Sequence, residues 1–339
     1  MLGQFSNVKI QGIASAVPKR VEDNSQFEPI LGKRRTQKQI RITGVERRHV
    51  SEEPQQVSDL MYVAADRLLN QLKWKRNQIK VLVCVTQSPN FLIPSTAFFM
   101  QKRLQLAEDC MCFDVNLGCS GACSGIQIAS SLLQACDSGE KALVLVGELS
   151  YSTCYNEGMP LSDLANKMLF GAGAAAIGLE KAEDVTMKFM TKSDGDRYNT
   201  IIRYFNQEIE IDGGAVLEFS INKVTKDLCK FKEYFNIQEK DIDYYVFHQA
   251  QKLILDSICD ECGIQEEKEL RSLNEYGNTS SASILLSICA NIELFKDKKE
   301  LKMLLCGFGV GLAWSMIYTK IPTQNILPII ETDVHYCEE

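Results

Sequence analysis

Three side chains in this sequence have the types needed for covalent acyl chemistry: a thiol, an imidazole and a carboxamide. Cys119 lies in Gly118-Cys119-Ser120-Gly121, after a predicted strand and before a predicted helix, while His248 and Asn278 lie in the second half of the chain. A cysteine thiolate attacks carbonyl carbons, and the other two groups can donate hydrogen bonds to a developing oxyanion. We expect a catalytic site if the fold brings the three together.

The segment around Cys119 resembles a nucleophile elbow, in which small neighbours allow a sharp turn from strand to helix. A thiol at a helix N-terminus lies at the positive end of the helix dipole, which predicts a lowered pKa for Cys119. The alternative role for Cys119 is that of a small buried residue in a turn. Cys123 is the rival nucleophile, because Ala122-Cys123-Ser124-Gly125 nearly repeats the first motif. It lies one turn into the predicted helix, where packing is the expected role, so we favour Cys119.

Two other patterns raise alternatives that the sequence does not support. Cysteines cluster at 110, 112, 119 and 123 and at 259 and 262, but neither cluster has a nearby histidine or a second cysteine pair at structural-zinc spacing. We therefore predict no metal. The glycine-rich run 307–311 lacks the lysine of a phosphate-binding loop. It predicts either a plain turn or close approach of the backbone to a reacting carbonyl.

The elements that must position these residues alternate between strands and helices. Apolar or β-branched runs predict strands at 8–13, 79–85, 142–147, 244–247 and 301–306, and apolar residues at helical spacing predict a helix at 56–72. This alternation predicts an α/β fold with mainly parallel, buried strands.

The two halves of the chain repeat the same order of elements. A predicted strand runs into Gln87 in the first half and into Gln249 in the second. Cys119 follows the first by 32 residues, and Asn278 follows the second by 29. We infer an internal duplication, with chance similarity of common α/β patterns as the alternative. Duplicated halves related by a pseudo-twofold axis would bring Cys119, His248 and Asn278 to one place.

Composition limits the class of protein. The chain has 339 residues, enough for two domains or one large fold of two halves, and its net charge of −7 argues against nucleic-acid binding. No secretory signal and no apolar run long enough to span a membrane is visible. We therefore predict a cytoplasmic protein, in which most of the 13 cysteines are reduced thiols.

Six motifs together resemble the β-ketoacyl-acyl carrier protein synthase III family of the thiolase superfamily. They are Ile10-x-Gly12-x-x-Ser15-x-x-Pro18, Thr43-Gly44-Val45-Glu46-Arg47-Arg48, Asp114-Val115-Asn116-Leu117-Gly118-Cys119-Ser120-Gly121, His248-Gln249-Ala250, Tyr276-Gly277-Asn278-Thr279-Ser280 and Gly307-Phe308-Gly309-Val310-Gly311-Leu312. The resemblance implies a five-layer αβαβα fold built from two duplicated halves, and a homodimer. We place the N-terminal half at 1–175, the C-terminal half at 176–321 and a tail at 322–339, which we expect to fray.

The resemblance also implies a ping-pong decarboxylative Claisen condensation without a cofactor. Cys119 would take an acyl group from a thioester, and malonyl-acyl carrier protein would supply the attacking carbanion. His248 and Asn278 would stabilise the enolate. The backbone N–H groups of Cys119 and Gly311 would form the oxyanion hole. The implied partners are an acyl carrier protein and, as a further acyl donor, a coenzyme A thioester.

The family's substrate-binding positions fall on a further set of residues. They are Ile93, which would reach across the dimer to bound the acyl pocket, and Lys38, Arg41, Gly213, Gly214, Leu217, Ala250 and Gln251. Lys38 stands where an adenine-stacking tryptophan is usual, and Leu253, Gly214 and Leu217 replace an expected Arg, Asn and Phe. These departures cluster where coenzyme A would bind, and they indicate a divergent paralogue in fatty-acid or specialised acyl biosynthesis.

The stretch 33–48 holds seven basic residues and one acidic residue. It predicts either a docking surface for phosphate or an acidic carrier protein, or a solvated loop. Two other functions stay open. One is transfer of the acyl group from Cys119 to an alcohol or amine without decarboxylation, and the other is a non-catalytic partner subunit of another synthase.

Overall fold

The structure is a computed structural model that describes residues 1–150, 158–183, 185–204 and 207–337. The strands in this part of the chain are β1 (Leu2–Phe5), β2 (Val8–Pro18), β3 (Val21–Asp23), β4 (Arg47–His49), β5 (Ile79–Val85), β6 (Met111–Val115), β7 (Lys141–Glu148), β8 (Gly173–Lys181), β9 (Met187–Ser193), β10 (Ile201–Ile202), β11 (Glu210–Ile211), β12 (Tyr244–Phe247), β13 (Glu300–Gly309), β14 (Ala313–Pro322) and β15 (Ile330–Thr332). The helices are α1 (Glu28–Leu31), α2 (Lys33–Thr43), α3 (Val57–Leu72), α4 (Thr96–Arg103), α5 (Gly121–Leu133), α6 (Leu161–Leu169), α7 (Gly213–Phe219), α8 (Thr225–Tyr234), α9 (Lys252–Cys262), α10 (Leu273–Tyr276) and α11 (Ser283–Ala290). The five predicted strands and the helix predicted at 56–72 are all present.

Two mixed sheets form the fold, and they repeat one strand pattern. The prediction of mainly parallel strands is wrong, because five of the nine strand pairs in these two sheets are antiparallel. The first sheet has the order β15-β2-β8-β7-β5-β6, and the second has the order β1-β9-β14-β13-β12. In the first, β5 is parallel to β7, which is antiparallel to β8, which is antiparallel to β2. In the second, β12, β13, β14 and β9 pair in the same sequence of directions. This agreement confirms the predicted duplication.

The sheets and helices form five layers. Helices α5 and α11 lie between the two sheets, and both sheets contribute residues to the hydrophobic core around them. Helices α3 and α4 cover the outer face of the first sheet, while α8 and α9 cover the outer face of the second. The αβαβα prediction is therefore confirmed. Among the described helices, none combines the length and apolar character needed to cross a membrane.

The structure can be compared with two of the predicted boundaries, the one between the halves and the one before the tail. The division between residues 175 and 176 falls inside β8, which pairs with β2 and β7 as far as Lys181. The prediction that the tail frays is wrong for its described part, because β15 pairs in parallel with β2. Its anchors are polar and aromatic: the Gln55 amide donates to the Thr332 and Val334 carbonyls at 3.1 Å each, and the Tyr336 ring packs edge-on to Phe99 at 5.0 Å.

Tyr336 is the aromatic anchor of this tail, and its ring also lies 5.0 Å from the Arg103 guanidinium. We expect Tyr336→Ala to lower the free energy of unfolding by about 1–2 kcal/mol, because ring–ring and cation–π contacts are both lost. Urea unfolding measures the change. Tyr336→Phe keeps the ring and should retain wild-type stability; equal stability of all three proteins would mean that the tail contributes nothing to folding.

Candidate active site

Cys119 lies in the loop between β6 and α5, with Ser120 as the N-cap of the helix. Its side chain is buried, and its Sγ lies 3.9 Å from the Ser280 Oγ. The end of β13 approaches on the other side: a Cβ built on Gly309, where φ is +152°, would lie 2.8 Å from the Sγ. Only glycine fits this position. The close backbone approach predicted for the glycine-rich run therefore occurs at the thiol itself.

Two backbone N–H groups point to the sulfur. Those of Val310 and Cys119, together with the Ser280 hydroxyl, hydrogen-bond the Sγ and oppose a rise in the pKa of Cys119. Burial outweighs them and raises this pKa, so the lowered value predicted from the helix N-terminus is wrong. The second N–H group at the sulfur belongs to Val310, one residue before the predicted Gly311.

Cys123 is fully buried within α5 and belongs to the core between the sheets. Burial raises the pKa of Cys123 to about 12. It has the packing role that the sequence predicted for it.

His248 follows β12, and its ring is buried against the edge of Phe308. Its Nδ1 lies 2.8 Å from the Ser283 Oγ, and its backbone N–H donates to the Cys306 carbonyl at 2.8 Å. Burial lowers the pKa of His248 to about 3, although a hydrogen bond to the Ser280 carbonyl opposes the shift. The ring is therefore neutral at physiological pH and carries one proton.

Asn278 lies between α10 and α11, next to Ser280. Its Nδ2 donates to the Ala250 carbonyl at 3.2 Å, and its Oδ1 accepts the Ser280 backbone N–H at 2.9 Å. The Ala250 N–H in turn donates to the His248 carbonyl at 2.8 Å. With respect to the described residues, one Nδ2 hydrogen of Asn278 is left for a further acceptor, since an amide nitrogen carries two.

Ser280 links the three predicted residues, and sequence reasoning missed it. It contacts the Cys119 Sγ through its hydroxyl, the Asn278 side chain through its backbone N–H and the His248 ring through its carbonyl. Its φ of +48° is rare for a residue with a side chain, and such strain is found preferentially at functional sites. The signal in the sequence was the polar run that begins at Asn278 before the apolar helix α11.

Glu148, at the end of β7, was also missed. This buried carboxylate accepts hydrogen bonds from the Gln87 N–H at 2.9 Å, the Ser88 hydroxyl at 2.8 Å and the Ser281 hydroxyl at 3.4 Å. Burial raises the pKa of Glu148 to about 8 despite these donors, and the charge of Cys119 adds to the rise. An acidic residue that directly ends an apolar strand was the signal available in the sequence.

The raised pKa of Glu148 predicts a stability that depends on pH. The folded state binds a proton that the unfolded state, with an ordinary carboxyl pKa of about 4.3, has released. The stabilisation is complete below pH 4.3 and is lost as the pH rises through about 8. We expect Glu148→Gln to gain in melting temperature relative to wild type between pH 5 and pH 8. Calorimetry at both values measures this, and a difference that stays constant with pH would contradict it.

The predicted substrate-binding residues lie in four places. Ala250 belongs to the site through its carbonyl, and Gln251 follows it as the N-cap of α9. Lys38 and Arg41 are exposed on α2, Gly213, Gly214 and Leu217 lie on α7, and Ile93 is 84% exposed before α4. Within the described residues these six share no hydrogen bond or ion pair with Cys119, His248 or Asn278.

The basic segment divides into a paired and an unpaired part. Arg48 is buried beside Glu22, with 2.9 Å between the charged groups, and Arg47 pairs with Glu275 at 2.9 Å. The other cations are exposed on α2 and form no ion pair with described residues: Lys33, Arg34, Arg35, Lys38 and Arg41. In the described part of the chain, no group of three or more His, Cys, Asp or Glu side chains could hold a metal ion.

Two family models match the chain. FAE1/Type III polyketide synthase-like protein matches residues 28–193, which include Cys119. 3-Oxoacyl-[acyl-carrier-protein (ACP)] synthase III C terminal matches residues 233–321, which include His248 and Asn278.

Relatives of nearly the same length carry matching descriptions. A β-ketoacyl-[acyl-carrier-protein] synthase III of Clostridium perfringens is 30% identical over 335 residues, covering 94% of this chain and 100% of the relative. One of Streptococcus pyogenes is 32% identical over 329 residues, covering 92% and 99%. A crystal structure of 3-oxoacyl-(acyl-carrier protein) synthase from Burkholderia xenovorans is 27% identical, with a TM-score of 0.90 over 98% of this chain and 99% of that chain.

Proposed function

This chain belongs to the β-ketoacyl-[acyl-carrier-protein] synthase III family, and from this premise we propose that it is a decarboxylative condensing enzyme. It joins an acyl group, held as a thioester on Cys119, to a malonyl unit on acyl carrier protein. The observation that carries the proposal is the convergence on Ser280 of a buried thiol, a neutral imidazole and a carboxamide.

In the first half-reaction the Cys119 Sγ attacks the carbonyl carbon of an acyl thioester. A bond forms between the Sγ and this carbon, the bond from the carbon to the donor's sulfur breaks, and the thiol proton ends on the departing donor thiol. The N–H groups of Cys119 and Val310 lie beside the sulfur, and the oxyanion develops on the oxygen of the carbon that becomes bound to this sulfur. They supply the oxyanion hole.

In the second half-reaction the malonyl thioester loses carbon dioxide, and the electron pair of the broken C–C bond becomes an enolate. His248 and the free Nδ2 hydrogen of Asn278 donate hydrogen bonds to its oxygen. The enolate carbon attacks the acyl-Cys119 carbonyl, and the Sγ leaves as a thiolate that takes a proton from solvent. A neutral histidine suits this role, because its ring N–H donates a hydrogen bond to the enolate oxygen while the ring carries no net charge.

Intact-protein mass spectrometry tests the proposal. The wild-type chain is exposed to a panel of acyl-coenzyme A and acyl-carrier thioesters and then to malonyl-carrier protein. We expect an acyl adduct that wild type gains and Cys119→Ala does not, and that malonyl-carrier protein discharges as a 3-oxoacyl product. An adduct that malonate never discharges would favour acyl transfer without decarboxylation, and absence of any adduct would favour a non-catalytic partner subunit.

We further propose a homodimer joined along β6. This strand lies at the edge of the first sheet, so one side of its backbone has no partner strand among the described residues, and its Met111 is 56% exposed. Leu92, Ile93 and Phe98 add exposed apolar surface nearby in the chain, before and within α4. Ile93 would then bound the partner's acyl pocket. Sedimentation equilibrium should give twice the mass of one chain, and a monomer at micromolar concentration would contradict the proposal.

The exposed cations of α2 are the proposed docking surface for the acidic carrier protein. The C-terminal end of this helix lies beside the site, because Gly44 packs against Lys252, the first residue of α9. Arg34, Lys38 and Arg41 share one face of α2 at helical spacing. Complementary charge favours encounter with an acidic partner.

The described cysteines are free thiols, which agrees with a cytoplasmic location.

Reversing charge on this face should weaken carrier binding. For Arg34→Glu/Lys38→Glu we expect the KM for malonyl-carrier protein to rise about tenfold, because two positive charges become negative and the net charge of the docking surface falls by four units. A small malonyl thioester without a carrier should react at the wild-type rate. Lys73→Glu/Lys75→Glu makes the same charge change at exposed positions after α3 and serves as the control. If both double variants raise this KM equally, the cause is a general electrostatic effect and α2 is not the docking surface.

A further inference from the structure

The Ser280 hydroxyl lies against the reacting atom of the site, and the chemistry proposed above gives it no role. Its Oγ is 3.9 Å from the Cys119 Sγ, and within the described residues this sulfur is its only hydrogen-bond partner. While the thiol is protonated, either group can be the donor. Once the thiol has lost its proton, the sulfur has no hydrogen left, so only the hydroxyl can donate. The contact therefore acts on the thiolate in one defined direction.

Hydrogen bonds on both sides of Ser280 hold the hydroxyl in this place. The Ser280 N–H donates to the Asn278 Oδ1 at 2.9 Å, and the Ser280 carbonyl accepts from the Ser283 hydroxyl at 2.8 Å. These bonds keep Ser280 at a φ of +48°, a conformation that glycine adopts more readily than serine. Strained residues of this kind cluster at functional sites, so a serine at this position indicates that its side chain is used.

Gly118, the residue before Cys119, leaves room for the hydroxyl to reach the sulfur. A Cβ built on Gly118 would lie 2.5 Å from the Gln87 Oε1 and 3.3 Å from the Ser280 Oγ. The first distance is a direct clash, and the second is closer than such atoms normally pack. The turn at Ser280 and the glycine at 118 therefore both allow the contact between hydroxyl and thiol.

We propose that Ser280 is a further catalytic residue, whose hydroxyl donates a hydrogen bond to the Cys119 thiolate and thereby increases the amount of reactive thiolate. The thiol proton passes to solvent, from which the departing donor thiol takes one in the acylation step. The same bond stabilises the thiolate that leaves at the end of the condensation, and this second role rests on the proposed function. Burial raises the pKa of Cys119 and the bond from Ser280 opposes the rise, so loss of the bond should raise this pKa further.

Alkylation of Cys119 by iodoacetamide measures the thiolate without any acyl substrate. Rates are followed on the full chain from about pH 7 to pH 11, with fragment-ion mass spectrometry to assign the adduct to Cys119 and with Cys119→Ala as the background. For Ser280→Gly, which suits the observed φ, we expect the midpoint of the rate profile to rise by about one pH unit. At pH 7 the rate should fall only about threefold, because a less acidic thiol forms a more nucleophilic thiolate.

The other titratable groups of the site are common to wild type and variants, so the difference between the profiles reports the hydroxyl. They are the Glu148 carboxyl at the end of β7, the neutral His248 ring after β12 and the buried Cys123 thiol in α5. Ser131→Ala is the control: it removes an exposed hydroxyl further along α5, which donates to the Gln127 carbonyl at 3.0 Å, and should leave the profile unchanged.

An unchanged midpoint in Ser280→Gly, or an equal shift in Ser131→Ala, would overturn the inference. A uniform loss of rate at every pH with a lower melting temperature would show a merely structural role and overturn it as well. In the half-reactions of Ser280→Gly, acylation of Cys119 at pH 7 should fall about threefold, while malonyl decarboxylation stays within about twofold of wild type. If wild type forms no acyl adduct, the proposed function fails, whereas the alkylation profile still decides the role of Ser280.

Discussion

A Cys119→Ala variant is expected to take up no acyl group and to lose condensation by at least about 10³-fold, because no other group at the site can hold the thioester. The fold should survive, since the side chain is small and its contacts are weak hydrogen bonds from Ser280 and two backbone N–H groups and the approach of the Gly309 backbone. Intact mass after exposure to acyl thioesters measures the first effect. The rate of 3-oxoacyl product formation measures the second.

Cys123→Ala is the matched control. It removes a thiol of the same size one helical turn away, from a side chain that is fully buried in the core. We expect normal acylation and a cost in stability of about 1 kcal/mol, because the sulfur leaves a small cavity. Acylation that persists in Cys119→Ala and disappears in Cys123→Ala would reverse the assignment of the nucleophile.

The second large effect is expected for His248→Ala. Malonyl decarboxylation should fall by about 10²- to 10³-fold, because a donor to the enolate oxygen is lost. Acylation of Cys119 should continue, since the backbone N–H groups of Cys119 and Val310 act in that step. His335→Ala removes an exposed histidine of the tail and controls for the substitution itself. Loss of acylation together with decarboxylation would show that His248 also acts in the first half-reaction.

The low pKa of His248 adds a signature in the stability of the chain. In the unfolded chain the ring has an ordinary pKa near 6.5, and in the folded chain the pKa is about 3. The unfolded state therefore binds the extra proton as the pH falls from 6.5 toward 3, and this destabilises the native state in that window. We expect the acid-side loss of stability to be smaller in His248→Ala than in wild type, as measured by urea unfolding at pH 4 and pH 7.

The sequence could reveal the scaffold of this site because its signals are local. Strand runs such as 79–85 and 244–247, and the repeated order of elements in the two halves, depend on hydrophobic pattern and spacing. The same spacing placed Cys119 and Asn278 at equivalent turns before α5 and α11, the two helices that lie between the sheets.

What the sequence could not reveal depends on burial and on the path of the backbone. The pKa of Cys119 was predicted in the wrong direction, because the degree of desolvation is a property of the packed site. Gly311 was predicted as the second N–H donor, whereas the N–H group at the sulfur belongs to Val310. Backbone dihedral angles decide which N–H group faces the sulfur, and the sequence does not reveal them. Ser280 and Ser283 looked like ordinary polar residues in a turn, and only the fold turns them toward Cys119 and His248.

The close approach of Gly309 to Cys119 has a consequence for covalent inhibitors. An electrophile that bonds to the Cys119 sulfur would also lie against the Gly309 backbone, which presents no side chain there. Any larger residue at this position would enter the van der Waals volume of the nucleophile and would require a backbone conformation that side chains rarely adopt. A substitution of Gly309 that excluded such an inhibitor would therefore also block the Cys119 thiol. Contacts to Gly309 are consequently the ones on which a covalent inhibitor can best depend.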